Sequence, residues 1–382
     1  MGYNKNKIVI LNQAANYLTI GICNEFAKAC DVVTLITGSV HVQGEELSSQ
    51  VNVEKIIPWK EEHGIGKAIN YASALFSMGY LLMTKYRNHE VFFISVPPMG
   101  YLLNIVLPHK FSMIIWDVYP DVLKITGMQD SHPVYKFWSK LNRISFKKAY
   151  KVLTIGDKMA ELIGQYVDNN KVIIQPIWSI FQSNNKVFKE DNPFVKKHNL
   201  EDKFIIQYSG NIGLSHKVEV MVALAEKMQD HKEILFQIIG RGPRKKSLKE
   251  LVKVKNLQNC QFLPFQSDKM FPFSLSAADL GIVILDETTS KGSVPSKSYN
   301  LMSYGIPSLY IAADDSELQN YANKYKHANC FTEKELDKAE VFILKLSKDK
   351  KYYNKLSVNS LKAASNFKRE NAAKFVEEYL EA

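Results

Sequence analysis

Cysteine is scarce and scattered in this chain. The four residues Cys23, Cys30, Cys260 and Cys330 form neither a Cys-x-x-Cys pair nor a Cys/His cluster, which excludes a disulfide framework and a clustered zinc site and fits a reducing cytosol. Long apolar runs are missing as well. The uncharged stretch 68–84 contains Asn70, Ser73, Ser77, Gly79 and Thr84 and is too short and polar to span a bilayer. The opening residues MGYNKNKIVIL lack the apolar centre of a signal peptide and read as a polar lead into a first strand, so a cytoplasmic protein is expected. The Gly-x-Gly-x-x-Gly fingerprint of a nicotinamide site is absent, because NQAANYLTIG stands where its glycines would be required.

What the chain does contain is enough for two cores. At 382 residues with 46% hydrophobic and 23% charged side chains, it is a folded protein whose length favours two domains. Its net charge of +10 and pI near 9.1 favour anionic partners such as nucleotides, lipid headgroups or nucleic acid. Nucleic acid is set aside, since the basic residues are not interleaved with a recognised RNA or DNA motif.

Short apolar strands alternate with longer segments at 7–11, 32–37, 91–96, 113–118, 151–155 and 171–178. This rhythm predicts βαβ units and a parallel sheet. The polar stretch SNNKVFKEDNP follows, and its composition suits an exposed connection. Strands then resume at 204–210, 234–240, 260–265, 280–285 and 308–312. The expected fold is α/β, with two Rossmann-like doubly wound domains over 1–180 and 181–365 and a last helix, about 366–382, packing back on the first. Such sheets bind ligands at the carboxyl ends of their strands, which places the expected site in a cleft between domains.

Three segments lie at those ends. In SGNIG at 209–213, Gly210 and Gly213 would let backbone amides approach a phosphate, or would merely make a tight turn. IIGRGPRKK at 238–246 repeats the arrangement and adds Arg241 and Arg244, while the lysines beyond read as a solvated helix face. KGSVPSKSYNLMSYGIPSLYIA at 291–312 reads as a glycine loop, a helix opened by Pro295 and Ser296, a terminal Gly305 and a buried strand.

Taken in order, SVPP at 95–98, DVYPD at 117–121, QPIW at 175–178, SGNIG, IIGRGP, AADLGIVIL at 277–285 and VPSKSYNLMSYGIPSLYIA at 294–312 resemble the retaining GT-B glycosyltransferases of family four, especially the bacterial surface-polysaccharide branch. The resemblance spans nearly the whole chain. It implies a nucleotide-diphosphate sugar donor on the second domain, with diphosphate at Gly210–Gly213 and at the Ser296–Lys297 helix start, and ribose near Asn300. The two glutamates of the wider family fall here on Gly292 and Asn300, and its arginine after the first glycine falls on Asn211. Exchanging a charge-assisted hydrogen bond for a neutral one costs on the order of 1 kcal/mol, so donor binding survives. The diphosphate charge is then met by Lys297, Lys217 or Arg241. Asn16 and Gly21, taken as loop residues after the first strand, match where relatives bring a Gly-rich loop to the diphosphate.

Asp117 is the candidate for positioning or deprotonating an acceptor hydroxyl, or else caps a turn. The Asp-x-Asp motif of the other major glycosyltransferase fold is absent, as is any cluster with metal-ligand spacing, so neither metal nor cofactor is expected. The segment 135–151 carries Lys136, Lys140, Arg143, Lys147 and Lys151 with Phe137, Trp138, Leu141 and Ile144 and no acid. It reads as a basic amphipathic helix resting on anionic lipid at the inner face of the plasma membrane, joined by 68–84, or as a scaffold helix with a wet face. The expected reaction moves a hexosyl or N-acetylhexosaminyl group, from a UDP-type donor, to a lipid-linked or oligosaccharide acceptor in surface-polysaccharide synthesis. The competing reading is a non-catalytic GT-B partner subunit that binds sugar nucleotide or glycan.

Overall fold

The computed structural model describes residues 7–60, 65–181, 186–213 and 216–381. The polar lead before Lys7 and residues 183–185 of the polar connection lie outside them. The chain divides into two compact units, Met1–Ile180 with Arg369–Ala382, and Phe181–Lys368.

The first unit is built on a seven-stranded, all-parallel sheet. Its spatial order is Val51–Lys55, Val32–Thr37, Lys7–Leu11, Glu90–Ile94, Phe111–Ile114, Val152–Thr154, Val172–Ile174. Ile8 to Leu11 and Val91 to Ile94 are fully buried. Strands buried on both faces need continuous rather than alternating apolar residues. The edge strand VNVEK is half exposed, with Asn52, Glu54 and Lys55 on it, and that polarity hid it in the sequence. The strand expected over 113–118 stops at Ile114. The one expected over 171–178 covers Val172–Ile174 alone, since Pro176 just beyond it cannot donate to a ladder.

Helix Asn371–Leu380 belongs to this first unit and packs on helix Tyr17–Ala29. Tyr379 meets Phe26 and Phe92 edge-on, at 5.3 and 5.7 Å between centroids. Arg369 fixes the entry to that helix: its guanidinium pairs with Glu25 at 3.0 Å and Glu45 at 2.6 Å, donates to the Gly21 carbonyl, and lies over the Trp178 ring.

The second unit has a six-stranded parallel sheet in the order Cys260–Leu263, Ile234–Arg241, Phe204–Asn211, Leu280–Ile284, Ser308–Ile311, Ala328–Phe331. The last strand, ANCF, is short and half-buried and escaped the apolar pattern. Numbered within the sheet, the order is 3-2-1-4-5-6, that of a Rossmann-like doubly wound fold. The winding reverses between the first strand and its neighbour Leu280–Ile284. Loops leaving those two strands diverge to opposite faces, so the crevice at their carboxyl ends is where such a sheet receives a ligand.

Candidate functional site at the strand ends

At that reversal in the second unit, Asn211 ends one strand and Leu285–Asp286 follow the other. His216 and Lys217 reach the end of that second strand. His216 donates from Nδ1 to the Ile284 carbonyl at 2.9 Å, and Lys217 bridges Asp286 at 3.0 Å and Glu333 at 2.9 Å. Burial works against the charge on Asp286, but hydrogen bonds from Thr288 and Lys217 outweigh it and hold the carboxyl below its ordinary pKa. Lys217 is raised, first by its bond to Glu333 and then by Asp286. Its charge is thus compensated twice.

Lys297 has no such compensation. Its stem is partly exposed, while its ammonium is buried without a hydrogen-bond partner among the described residues. Nζ lies 4.0 Å from the centroid of the Tyr208 ring, a cation–π contact that offsets only part of the lost hydration. Burial drives its pKa from 10.5 down to about 7. The same burial, with Lys297 nearby, lowers His216 to about 4, so that imidazole is neutral. With Nδ1 donating, Nε2 is left as an acceptor. A lone buried ammonium at the carboxyl edge of a doubly wound sheet is a place for an anion.

The glycines divide into two kinds. A Cβ at Gly210, where φ is +147°, would stand 3.4 Å from Lys297 Nζ, so Gly210 keeps the approach to the ammonium open. A Cβ at Gly240 would lie 1.9 Å from the Gly210 carbonyl oxygen, and one at Gly242 would lie 2.4 Å from the Ile212 carbonyl oxygen. Register pairs Gly210 with Gly240 and Asn211 with Arg241. The glycines of IIGRGP therefore let two strand ends pack, which is the bland alternative to a phosphate loop. Gly213 is buried, and a Cβ there would meet the Asn211 side-chain amide at 3.1 Å.

Of the two arginines, Arg244 pairs with Glu219 at 2.7 Å. Arg241 is exposed, makes no salt bridge among the described residues, and lies 5.4 Å from the Phe265 ring centroid. Ser296 is exposed at the start of helix Lys297–Ser303. Asn300, three residues after Lys297, shares its helix face. This helix has seven residues, so few aligned dipoles sum at its start and the electrostatic weight falls on Lys297.

In the first unit, Asp117 is exposed in the bend beyond strand Phe111–Ile114. Nearby Asp121 is buried instead and accepts from Tyr135 at 2.6 Å and Tyr166 at 2.5 Å, which is a structural role. The expectation that Asn16 and Gly21 lie in a loop is corrected. Asn16 is the N-cap of helix Tyr17–Ala29, its side chain accepting from Leu18 N at 3.0 Å and Thr19 N at 3.3 Å. Gly21 is buried inside that helix, where a Cβ would strike Trp178 at 2.6 Å. The physical reason was visible, since an Asn before an apolar segment is a preferred cap. Sequence reasoning missed Tyr208, which looks like one more strand residue, and His216. It also missed Trp116 Nε1 and Gln175 Nε2, buried polar atoms beyond two strand ends with no hydrogen-bond partner among the described residues. Among the described residues, no group of three or more His, Cys, Asp or Glu is arranged to hold a metal, and no helix is long and apolar enough to cross a membrane.

Comparison with known proteins adds a second line. Residues 189–363 match the family model for glycosyl transferases group 1, a span that contains all six strands of the second unit. The chain is 28% identical over 199 residues to a putative colanic acid biosynthesis glycosyl transferase, WcaI, of Escherichia coli K12, covering 51% of this chain and 49% of that one. It is 25% identical over 222 residues to the probable glycosyltransferase WbjE of Pseudomonas aeruginosa, covering 57% and 54%. A third relative, 28% identical over 246 residues with 58% and 63% covered, is the UDP-N-acetylglucosamine–N-acetylmuramyl-(pentapeptide) pyrophosphoryl-undecaprenol N-acetylglucosamine transferase of Caldicellulosiruptor saccharolyticus. The matches thus span about half to under two thirds of these relatives' lengths. Among solved structures, WaaG, a glycosyltransferase involved in lipopolysaccharide biosynthesis, superposes with a TM-score of 0.70 at 14% identity over 98% of this chain and 100% of that one. Anabaena HepE, solved with UDP and glucose, does so with a TM-score of 0.70 at 12% identity over 99% and 100%. The fold is the GT-B architecture, two Rossmann-like α/β units.

Proposed function

We propose that this chain is a glycosyltransferase that moves a hexosyl or N-acetylhexosaminyl group from a nucleotide-diphosphate sugar, UDP-linked, to a lipid-linked or oligosaccharide acceptor in surface-polysaccharide synthesis. The observation that carries the reading is the unpartnered Lys297 ammonium beside Gly210 at the sheet's reversal. A diphosphate there completes a charge that the protein leaves uncompensated. The group 1 family match over the same unit, and relatives named for colanic acid and undecaprenol-linked chemistry, support it.

The roles follow from chemistry at each position. Lys297 neutralises the charge that builds on the departing diphosphate, the electrostatic contribution that most lowers such a barrier. Because it is buried and unpaired, that charge acts at low local dielectric. Gly210, Asn211 and Gly213 let the backbone approach the phosphates, Asn300 meets the ribose, and Arg241 stands as an exposed cation beside the donor. Lys217, Arg244 and Ser296 complete the assigned donor surface, with Lys217 and Arg244 giving up part of their present pairing. Asp117 orients the acceptor hydroxyl and takes its proton. The anomeric configuration is retained, and with lysine as the counter-charge the reaction runs without a metal.

A thermal-shift screen against UDP-, GDP- and dTDP-sugars tests this reading. A ligand at a hundred times its Kd adds about 2.7 kcal/mol of stability, so a UDP-sugar is expected to raise the melting temperature and to be hydrolysed slowly without acceptor. If no nucleotide sugar stabilises the chain, the reading is wrong.

A further inference from the structure

Helix Ile65–Met83 presents an apolar face to water. Ile69, Phe76, Tyr80 and Met83 are 61%, 77%, 55% and 59% exposed, and their spacing sets them along one side of the helix. No charge lies between Lys67 and Lys85. A second helix, Pro133–Lys148, exposes Phe137 and Ile144 beside Lys136, Lys140, Arg143 and Lys147, with no acidic residue in it. Contiguous exposed apolar surface on a folded unit marks a binding face. Cations flanking it match it to an anionic bilayer surface, which complements both features at once.

Residues of both helices line an open pocket of about 390 Å³, a size that encloses a small-molecule portion of a ligand. Its walls include Tyr71, Leu75, Met99, Tyr119 and Trp138, and Lys67 is the charged residue among those lining it. Trp138 and Tyr119 stack at 5.4 Å and 15°. The Trp138 N–H is already donated to Tyr101 at 2.8 Å, so the indole offers the pocket only hydrocarbon. Lys67 is exposed and makes no salt bridge among the described residues. The Lys67 ammonium lies 5.7 Å from the centroid of the Tyr71 ring, and a ring-walled apolar slot with one cation not held by a carboxylate among the described residues selects an amphiphile that has an anionic head and a hydrocarbon tail.

We propose that this pocket takes the first units of a polyprenyl phosphate, with the chain against Tyr71, Tyr119 and Trp138, the phosphate at Lys67, and the two helix faces resting on an anionic bilayer. This deepens the reading of a lipid-linked acceptor and rests on it. The test is calorimetric titration of the full chain with farnesyl phosphate. Saturable binding is expected, weakened at least tenfold in Ala72→Trp, which fills the pocket from its wall. Lys67→Glu should weaken farnesyl phosphate at least fivefold while leaving farnesol within twofold. Both positions are exposed, and the melting temperature checks each fold; should Ala72→Trp not fold, the Lys67→Glu comparison decides alone. Wild-type affinity in Ala72→Trp, equal loss of farnesol and farnesyl phosphate in Lys67→Glu, or dodecyl phosphate binding as tightly as farnesyl phosphate would each overturn the proposal. The UDP-induced melting shift, read on the same samples, reports the donor site separately. Farnesyl phosphate binding without a UDP shift sinks the donor reading and keeps the pocket, and the reverse result sinks the pocket alone.

Discussion

Replacing Lys297 by methionine should make the ligand-free protein more stable and the donor site useless. The folded pKa near 7 against 10.5 when unfolded means that the native state penalises the charged form. At about 1.4 kcal/mol per pH unit, the penalty at pH 7 is bounded at roughly 4–5 kcal/mol. Loss of the Tyr208 contact gives back about 1–2 kcal/mol, and an apolar replacement for a buried charge realises about 1–3 kcal/mol. A lysine lowered on folding destabilises fully below its folded pKa, where both states carry the proton and the native one holds it at a penalty; only between about 7 and 10.5 does the unfolded chain bind more protons. The penalty fades as pH rises from about 7 to 10.5. The stabilisation by Lys297→Met should therefore be largest at pH 6–7 and shrink towards pH 10. Thermal melts across that range, with and without UDP, measure both effects at about 2–4 °C per kcal/mol. The same proton governs wild-type affinity: if donor binds only the charged lysine, affinity falls about tenfold between pH 6 and pH 8. A variant that is no more stable than wild type at pH 6, or that still binds UDP, refutes the reasoning.

Asp117→Asn should leave UDP-sugar affinity within about twofold and lower transfer by about a hundredfold or more; unchanged turnover in a radiolabel transfer assay returns Asp117 to a turn. Gly240→Ala drives a Cβ into the Gly210 carbonyl and should cost about 3 kcal/mol or more in urea unfolding, whereas Gly213→Ala meets only a side-chain amide and should cost under about 1 kcal/mol. Equal costs would mean the strand ends do not pack as described. Asn16→Ala should lower stability by about 1 kcal/mol through loss of the cap without changing nucleotide affinity, and a selective loss of UDP binding would restore Asn16 to the diphosphate.

Much of the architecture was legible because a parallel sheet buried on both faces writes its strands as continuous apolar runs, as in KIVIL, VFFIS and LGIVIL. The edge strand VNVEK and the closing ANCF were not legible, since partial exposure admits Asn, Glu and Lys. Gly210 and Lys297 could be named from local pattern and resemblance. That Lys297 stands unpaired while Lys217 does not could not be, because Lys217 is held by Glu333, 116 residues away. Gly210 and Gly240 both end a strand within a similar strand-then-glycine pattern, and only strand register separates the open one from the one packed against a neighbouring carbonyl. The apolar pocket was hidden for the same reason, as its walls come from segments 67–75, 97–99, 119–123 and residue 138. The helix over 135–151 is legible in its own sequence and runs from Pro133 to Lys148, whereas the slot beside it needed the fold.

The most direct test is a crystal structure of the chain with UDP. A phosphate oxygen is expected about 3 Å from Lys297 Nζ, beside Gly210, with the ribose towards Asn300. A diphosphate bound elsewhere, with Lys297 still lying over Tyr208 and no anion within reach, would contradict it.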